Sequence, residues 1–308
     1  MELDLARLRA LVAVVDYGSF DAAATELHVT ASAVSQRIRA LEHDVGRVLL
    51  VRSRPVRPTE HGGTLLRLAR QLELLTSEAE HALREDVTAS LPIAVNADSL
   101  ITWVLPALAP LAGEIAFEFH RDDQTRTTEL LREGIVVAAI SSDRETVQGC
   151  TVRPLGGMRY LPVASAEFCA RWFADGEAGF AAAPMLEYDE SDALQRDMLE
   201  QVAPGATPPR HRVPGSGEFV AAVAGGFGWG MAPELQLVEG LEPITDRYID
   251  VPLFWHSWAL GTRALERTTE ALYAAAARGL RGSTAMAMTM PSAKSPATRS
   301  TSASQPHS

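Results

Sequence analysis

The sequence predicts an α/β protein with a largely helical N-terminal part, one long connecting helix, and a C-terminal region in which strands and helices alternate. Three patterns carry that expectation. Before residue 46, apolar residues recur at helical spacing in three short runs. Between Leu65 and Ala82 they recur at alternating spacings of three and four, the seam of a long helix. From Leu91 onward, apolar runs of strand length alternate with helical stretches. A chain of 308 residues has room for two or three such units, at roughly 100–200 residues per domain.

Taken in order, Leu5, Leu8, Val12 and Val15 define the first helix, and Gly18 marks its stop. Ser19 is an N-cap candidate for a second helix through Ala22, Ala23, Ala24 and Leu27. His28-Val29 makes a tight turn, and Thr30 caps a third helix whose buried face is Val34, Ile38, Leu41 and Val45, with Gly46 ending it. Leu49 to Pro58 reads as two short extended pieces around a turn. After Thr59, the seam Leu65, Leu68, Leu72, Leu75, Ala79 and Ala82 predicts a helix that pairs with a second copy; an amphipathic helix packed on its own domain fits the same spacing.

Leu91–Val95, Ile115–Phe119 and Val136–Ile140 read as parallel strands separated by helices at about 99–112 and 125–133. A second set of the same kind is expected over about 160–255: a strand from Tyr160, a helix near 165–174, a helix from Gly217 and a late strand Val251–Trp255. Leu265 to Leu280 is a final helix. In residues 283–308, 19 of 26 are Ser, Thr, Ala or Pro, which cannot bury a core, so this tail is expected to be disordered.

Composition removes several functions. The residues Met1-Glu2-Leu3-Asp4 carry no basic stretch, so no secretory leader is expected, and no run of about 18 apolar residues predicts a membrane span. Cys150 and Cys169, the only cysteines, lack metal-ligand spacing and suit a reducing cytosol, so both are expected to be structural. Neither a phosphate-binding glycine loop nor an HExxH motif occurs, and Gly225-Gly226-Phe227-Gly228 reads as a turn between helix and strand. A formal charge of −11 argues against a uniformly basic nucleic-acid binder. Yet His28–Leu72 holds eight arginines against three acids, a +5 segment that leaves −16 elsewhere. Such a segment is either a phosphate-facing surface or a solvated helix face.

Three helices followed by a two-stranded wing make a winged helix-turn-helix, whose third helix enters the major groove of double-stranded DNA. With Val34, Ile38 and Leu41 turned inward, Ser32, Ser35, Gln36 and Arg39 are presented outward as candidates for base edges. Arg52, Arg54 and Arg57 on the wing suit phosphates or the minor groove. Ala23 and Ala24 are small enough to let the second and third helices cross closely.

The run Ala22-Ala23-Ala24-Thr25-Glu26-Leu27-His28-Val29-Thr30-Ala31-Ser32-Ala33-Val34-Ser35-Gln36-Arg37-Ile38-Arg39-Ala40-Leu41-Glu42, continued by Gly46, Leu49, Arg52, Pro58-Thr59-Glu60 and Gly62, resembles the N-terminal signature of LysR-type transcriptional regulators. The resemblance extends from residue 1 to about 280. It implies a winged-helix domain at 1–60, a dimerising linker helix at 61–88 and an effector domain at 89–282. That domain would be two α/β lobes like those of periplasmic binding proteins, divided at about 91–160 plus 256–282 and about 161–255. It implies a homodimer or homotetramer that bends promoter DNA under control of a small effector, RNA polymerase as a further partner, and a cytoplasmic, nucleoid-associated location. Ala31 stands where many members have a DNA-contacting Gln, and Leu50 where many have Phe.

Asn96-Ala97-Asp98-Ser99-Leu100, Asp122-Asp123-Gln124, Val147-Gln148-Gly149-Cys150, Met158 to Ser165 and Gly228-Trp229-Gly230-Met231 are similar to the LysG/ArgP branch of that family. This implies lysine, arginine or histidine as effector, an amino-acid exporter gene as target, and no cofactor. A basic amino acid needs partners for a carboxylate, an α-ammonium and a distal cation. Ser99 at a helix start suits the carboxylate, unless it is only an N-cap. Asp122 and Asp123, after the second strand, suit the ammonium groups or are plain turn residues. Trp103 and Met158 are candidate walls for the aliphatic stem, Ser142 and Ser216 candidate cleft residues, and for Asp98 the alternative is a purely N-terminal capping residue. The competing readings are an architectural or replication-origin DNA binder of the same fold, and an enzyme or solute-binding protein built on the lobes. The latter two lack a nucleophile–base pair, a metal set or a leader.

Overall fold

In the computed structural model, which describes residues 4–83, 89–121, 127–190 and 193–282, the first three helices begin where side chains cap them. Asp4 accepts the amide protons of Ala6 and Arg7 at the head of α1 (Leu5–Asp16). Ser19 accepts that of Ala22 in α2 (Phe20–Glu26), and Thr30 that of Ala33 in α3 (Ala31–Val45). Each such cap stabilises its helix by about 1 kcal/mol. Gly46 ends α3 in the left-handed conformation. Val34, Ile38 and Leu41 are buried with Leu8, Leu11, Val12, Ala23 and Ala24 in one apolar cluster. The two strands of the wing, β1 (Leu50–Val51) and β2 (Arg57–Pro58), pair antiparallel. The wing is tied to the helices by Leu49 N–H donating to Glu42 Oε1 (2.9 Å) and Val56 N–H donating to Gly18 O (2.9 Å).

α4 (Glu60–Leu83) is about 36 Å long at 1.5 Å per residue. Leu65, Leu66 and Ala69 complete the N-terminal cluster, whereas Leu74 belongs to the core of the C-terminal domain.

That domain opens with β3 (Ala89–Val95), whose Leu91, Ile93, Ala94 and Val95 are all buried. Burial on both faces is the mark of a central parallel strand. α5 (Ala97–Ser99) passes through a π-helical turn, Leu100–Val104, into α6 (Leu105–Leu108). β4 (Ile115–Arg121), α7 (Thr127–Arg132) and β5 (Ala138–Ser141) follow, and β4 and β5 flank β3 in parallel.

The next strand differs from expectation. β6 runs from Cys150 to Ser165, 16 residues, through both lobes; the strand expected to begin at Tyr160 is its second half. Pro154 and Gly156-Gly157 interrupt its apolar pattern, which hides the continuity. The second lobe then contains α8 (Ala166–Trp172), β7 (Met185–Glu187), α9 (Leu194–Val202), β8 (Arg210–Arg212), α10 (Ser216–Ala224), β9 (Gly230–Pro233) and β10 (Leu241–Pro243). β9 and β10 pair antiparallel with β6, while β7 pairs β8 in parallel, so this lobe is mixed and only partly the second parallel set that the strand–helix rhythm suggested. β11 (Ile249–Trp258) returns antiparallel along β6 from Tyr160 back to Cys150 and along β5, and α11 (Arg263–Gly279) packs back on the first lobe. The sheet order is β10-β6-β11-β5-β3-β4, with β9 also on β6 and β7 pairing β8 separately. Two long strands are thus common to both lobes, and a division at 160/161 and 255/256 falls inside them.

Two expectations follow for stability. Ala23 is fully buried where α2 meets α3, so Ala23→Leu is expected to cost about 1–3 kcal/mol in chemical denaturation through overpacking. His256 is fully buried, its Nε2 2.8 Å from the Asp143 carbonyl, and burial holds its pKa below 6.5. The unfolded chain therefore takes up the proton first. This contribution to stability is complete above pH 6.5 and declines as pH falls below it; His256→Gln is expected to flatten that part of the pH profile.

Candidate functional site

The outward face of α3 carries Ser32, Gln36 and Arg39, all exposed, with Ser35 half-buried beside them. Arg52, Arg54 and Arg57 on the wing are exposed. Among the described residues none of these four arginines has an ion-pair partner, so their charge is available to an anion. Arg52 lies over the Phe20 ring, 5.8 Å from its centre, which holds the wing against α2. Apart from Ser35, which is half-buried, the predicted DNA-binding residues are therefore open to solvent.

The predicted dimerisation seam divides. Leu65 is 7 % exposed inside the N-terminal cluster, Leu68 and Leu72 pack half-buried against it, and Leu75 is 46 % exposed. The own-domain alternative therefore accounts for Leu65, while Leu75 is open to a partner. Ala79 is exposed, and the side chain of Ala82 lies outside the described residues.

The second candidate site lies where the lobes meet, beyond the carboxyl ends of β3 and β5. Asn96, not Ser99, occupies the N-cap position of α5, and its side chain makes no cap hydrogen bond. Ser99 is fully buried, and both its Oγ and Asn96 Oδ1 lack hydrogen-bond partners among the described residues. Asp98 is not a capping residue. Its carboxylate accepts from Tyr160 Oη (2.7 Å) on β6 and from Ser216 Oγ at the head of α10, so it joins the two lobes. Ser216 Oγ also lies 3.2 Å from Gln236 Oε1, and Gln236 Nε2 donates to Ser216 O (3.4 Å). Trp103 stands one turn beyond Ser99, 5 % exposed, its indole N–H without a partner among the described residues. Met158 is 1 % exposed in the same core as Trp103. Ser142 is half-buried one residue past β5. Asp122 and Asp123 lie outside the described residues.

Asp98, Tyr160, Asn96 and Gln236 were missed as site residues. An acid in the first turn of a helix reads as a cap, and Tyr160 and Gln236 reach the site only through the crossing of β6 and the approach of the second lobe. In that lobe Glu187, at the carboxyl end of β7, is 1 % exposed and paired with Arg210 (3.1 Å), with Asp189 and Glu190 following it.

Neither cysteine is activated as a nucleophile. Burial pushes the Cys150 thiol up to about 11, against the opposing charge of Arg67, and the Cys169 thiol is raised for the same reason. Among the described residues no group of three His, Cys, Asp or Glu side chains is placed to hold a metal ion, and no helix is long and apolar enough to cross a membrane.

A winged helix-turn-helix joined through one helix to a two-lobed α/β domain with a polar junction defines a DNA reader coupled to a small-molecule sensor. Residues 5–63 match the bacterial regulatory helix-turn-helix of the lysR family, and residues 84–278 match the LysR substrate binding domain. The chain belongs to the LysR family of transcriptional regulators, not to an enzyme family. Within it the likeness is to LysG and ArgP. The crystal structure of ArgP from Mycobacterium tuberculosis is 44 % identical, with a TM-score of 0.79 over 91 % of this chain and all of that one. Full-length LysG from Corynebacterium glutamicum with bound effector Arg is 35 % identical, with a TM-score of 0.73 over the same shares. The lysine export transcriptional regulatory protein LysG of Corynebacterium efficiens is 40 % identical over 89 % of this chain and 98 % of its own length.

For the reader surface, Arg52→Ala is expected to weaken binding to every DNA sequence and to lower the salt slope by about 0.9, read from affinities over a salt series. Gln36→Ala is expected instead to relax sequence preference by about 1–3 kcal/mol at one base pair and leave the slope unchanged.

Proposed function

We propose that this chain is a regulator that binds a basic amino acid, arginine or lysine, at the junction of the lobes and reads promoter DNA with α3 and the wing. Asp98 carries the reading. A carboxylate at the meeting of the lobes, beside two buried polar groups without partners, suits a ligand that brings both a cation and hydrogen-bonding groups. Asp98 would hold an ammonium or guanidinium group, with Asp122 and Asp123 as further acids. The ligand carboxylate would take Ser99 Oγ and Ser216 at the head of α10, where backbone N–H groups and the helix dipole favour an anion. Trp103 and Met158 would line the aliphatic stem and Ser142 the rim. The bound Arg of the Corynebacterium glutamicum structure supports the ligand class. The likeness to the lysine export transcriptional regulatory protein of Corynebacterium efficiens supports an amino-acid exporter gene as target.

Ser32, Ser35, Gln36 and Arg39 would contact bases, and Arg52, Arg54 and Arg57 phosphates. Leu68, Leu72 and Leu75 would pair with a second copy, giving a homodimer or homotetramer, with Leu65 anchoring the seam from within. The division of labour is then reader at 1–60, linker at 61–88 and sensor at 89–282.

Calorimetric titration with L-arginine, L-lysine and L-citrulline tests the reading. Citrulline keeps the shape of arginine without its charge. Arginine or lysine is expected to bind and citrulline to bind at least tenfold more weakly; equal affinities would remove the role of the acids. Asp98→Asn is expected to cost about 1.5–3 kcal/mol of arginine affinity, the worth of a hydrogen bond to a charged group, while DNA affinity without effector stays at the wild-type value.

A further inference from the structure

Besides the leucine seam, α4 carries a second stripe. Gly63, Arg67, Arg70 and Leu74 recur at spacings of four, three and four, and this face takes the sensor of the same chain. A Cβ on Gly63 would lie 3.3 Å from Glu133 Cα. A Cβ on Gly134, in the turn after α7, would lie 2.5 Å from the Arg67 amide nitrogen. Arg70 is 7 % exposed and pairs with Asp16 at the end of α1, whose carboxyl also feels Glu118 and His120 of β4. Leu74 sits in the sensor core, and Ile135 of the sensor packs against the reader core. α7 runs from the carboxyl edge of the sheet, the edge on which the candidate site lies, back to this seam. It starts at the buried Thr127, beyond the carboxyl end of β4, and its six residues span about 9 Å to the turn Glu133–Gly134–Ile135.

We propose that this seam is the junction through which occupancy of the cleft reaches the DNA-reading helix, with Gly134 and Gly63 as its positioning residues. For its ligand the proposal rests on the effector reading above. Where glycines bring backbone against backbone, no soft side chain absorbs a displacement. A shift of α7 must then move α4 or part the seam. Because Leu65, Leu66 and Ala69 of α4 are built into the reader core, the reader moves with the helix.

Gly134 is also the left-handed cap of α7, with Ile135 N–H donating to Leu130 O (2.9 Å). A purely structural role would end there, since a cap needs nothing against its missing Cβ. Two variants separate the roles. Gly134→Asn keeps a residue that tolerates the left-handed region and adds a side chain toward Arg67. Gly63→Leu adds one from the linker side, inside a helix that favours Leu over Gly.

The experiment compares the full-length chain and both variants on DNA from the region upstream of its own gene. Without effector, both variants are expected to alter the extent of the protected footprint. With saturating L-arginine, DNA affinity of the wild type is expected to shift by fivefold or more and that of the variants by less than twofold. Calorimetric arginine affinity should stay within threefold of wild type; by linkage, DNA should no longer change it. Wild-type footprints without effector in both variants, or a wild-type arginine-linked shift in both, would overturn the proposal. If the wild type binds no arginine, the effector reading falls and the effector-free footprints alone decide the seam.

Discussion

Leu66 and Leu74 lie about two turns apart on α4 and are buried in different cores, one in the winged helix and one in the two-lobed domain. The rest of the molecule is arranged around that sharing. Most of a helix's stability in a protein comes from tertiary packing and little from propensity, and here burial at both cores supplies it. It therefore belongs to both units at once. A connector of that kind transmits displacement, whereas a flexible one would absorb it.

The cleft depends on a comparable sharing. β6 and β11 pass between the lobes as one antiparallel ribbon, pinned by a two-point ion pair between Arg159 and Asp250 (2.9 and 3.0 Å) with the Tyr248 ring stacked 3.6 Å from the guanidinium. The ribbon fixes how the two lobes face each other. Asp98 from the first lobe thereby meets Ser216 from the second, and Gln236 donates in turn to the Ser216 carbonyl. The whole-chain charge of −11 acquires meaning only at this level. Basic residues gather in the winged helix, and Asp98 and Glu187 stand at strand ends of the sensor, so the net charge averages two parts of opposite character.

Much of this was legible in the residues. Ser19, Thr30 and Gly46 mark the helix limits because capping is local chemistry, satisfied within three or four residues of the cap. Val34, Ile38 and Leu41 turn inward because a period of 3.6 admits one buried face, which leaves Ser32, Gln36 and Arg39 outside. The sensor was less transparent. The glycines and prolines within β6 look like punctuation in a linear reading, yet pairing with β11, β9 and β10 carries the strand through them. The stripe Gly63–Arg67–Arg70–Leu74 has one apolar member in four, so no hydrophobic pattern announces it; it is legible only as missing atoms against a neighbouring backbone.

The sequence by itself determined the winged helix-turn-helix, the long helix after Thr59, the α/β character of the remainder and the segregation of charge, because each rests on interactions between residues near one another in the chain. Only the tertiary structure decided that Asp98 joins the lobes instead of capping a helix, that Leu65 is spent within its own domain while Leu75 is left open, and that the linker is held by two cores. Those outcomes depend on partners 62 and 118 residues away from Asp98 in the chain. Which partner an acid or a leucine finds at that distance is settled by how the sheets and helices pack, and no local period encodes it.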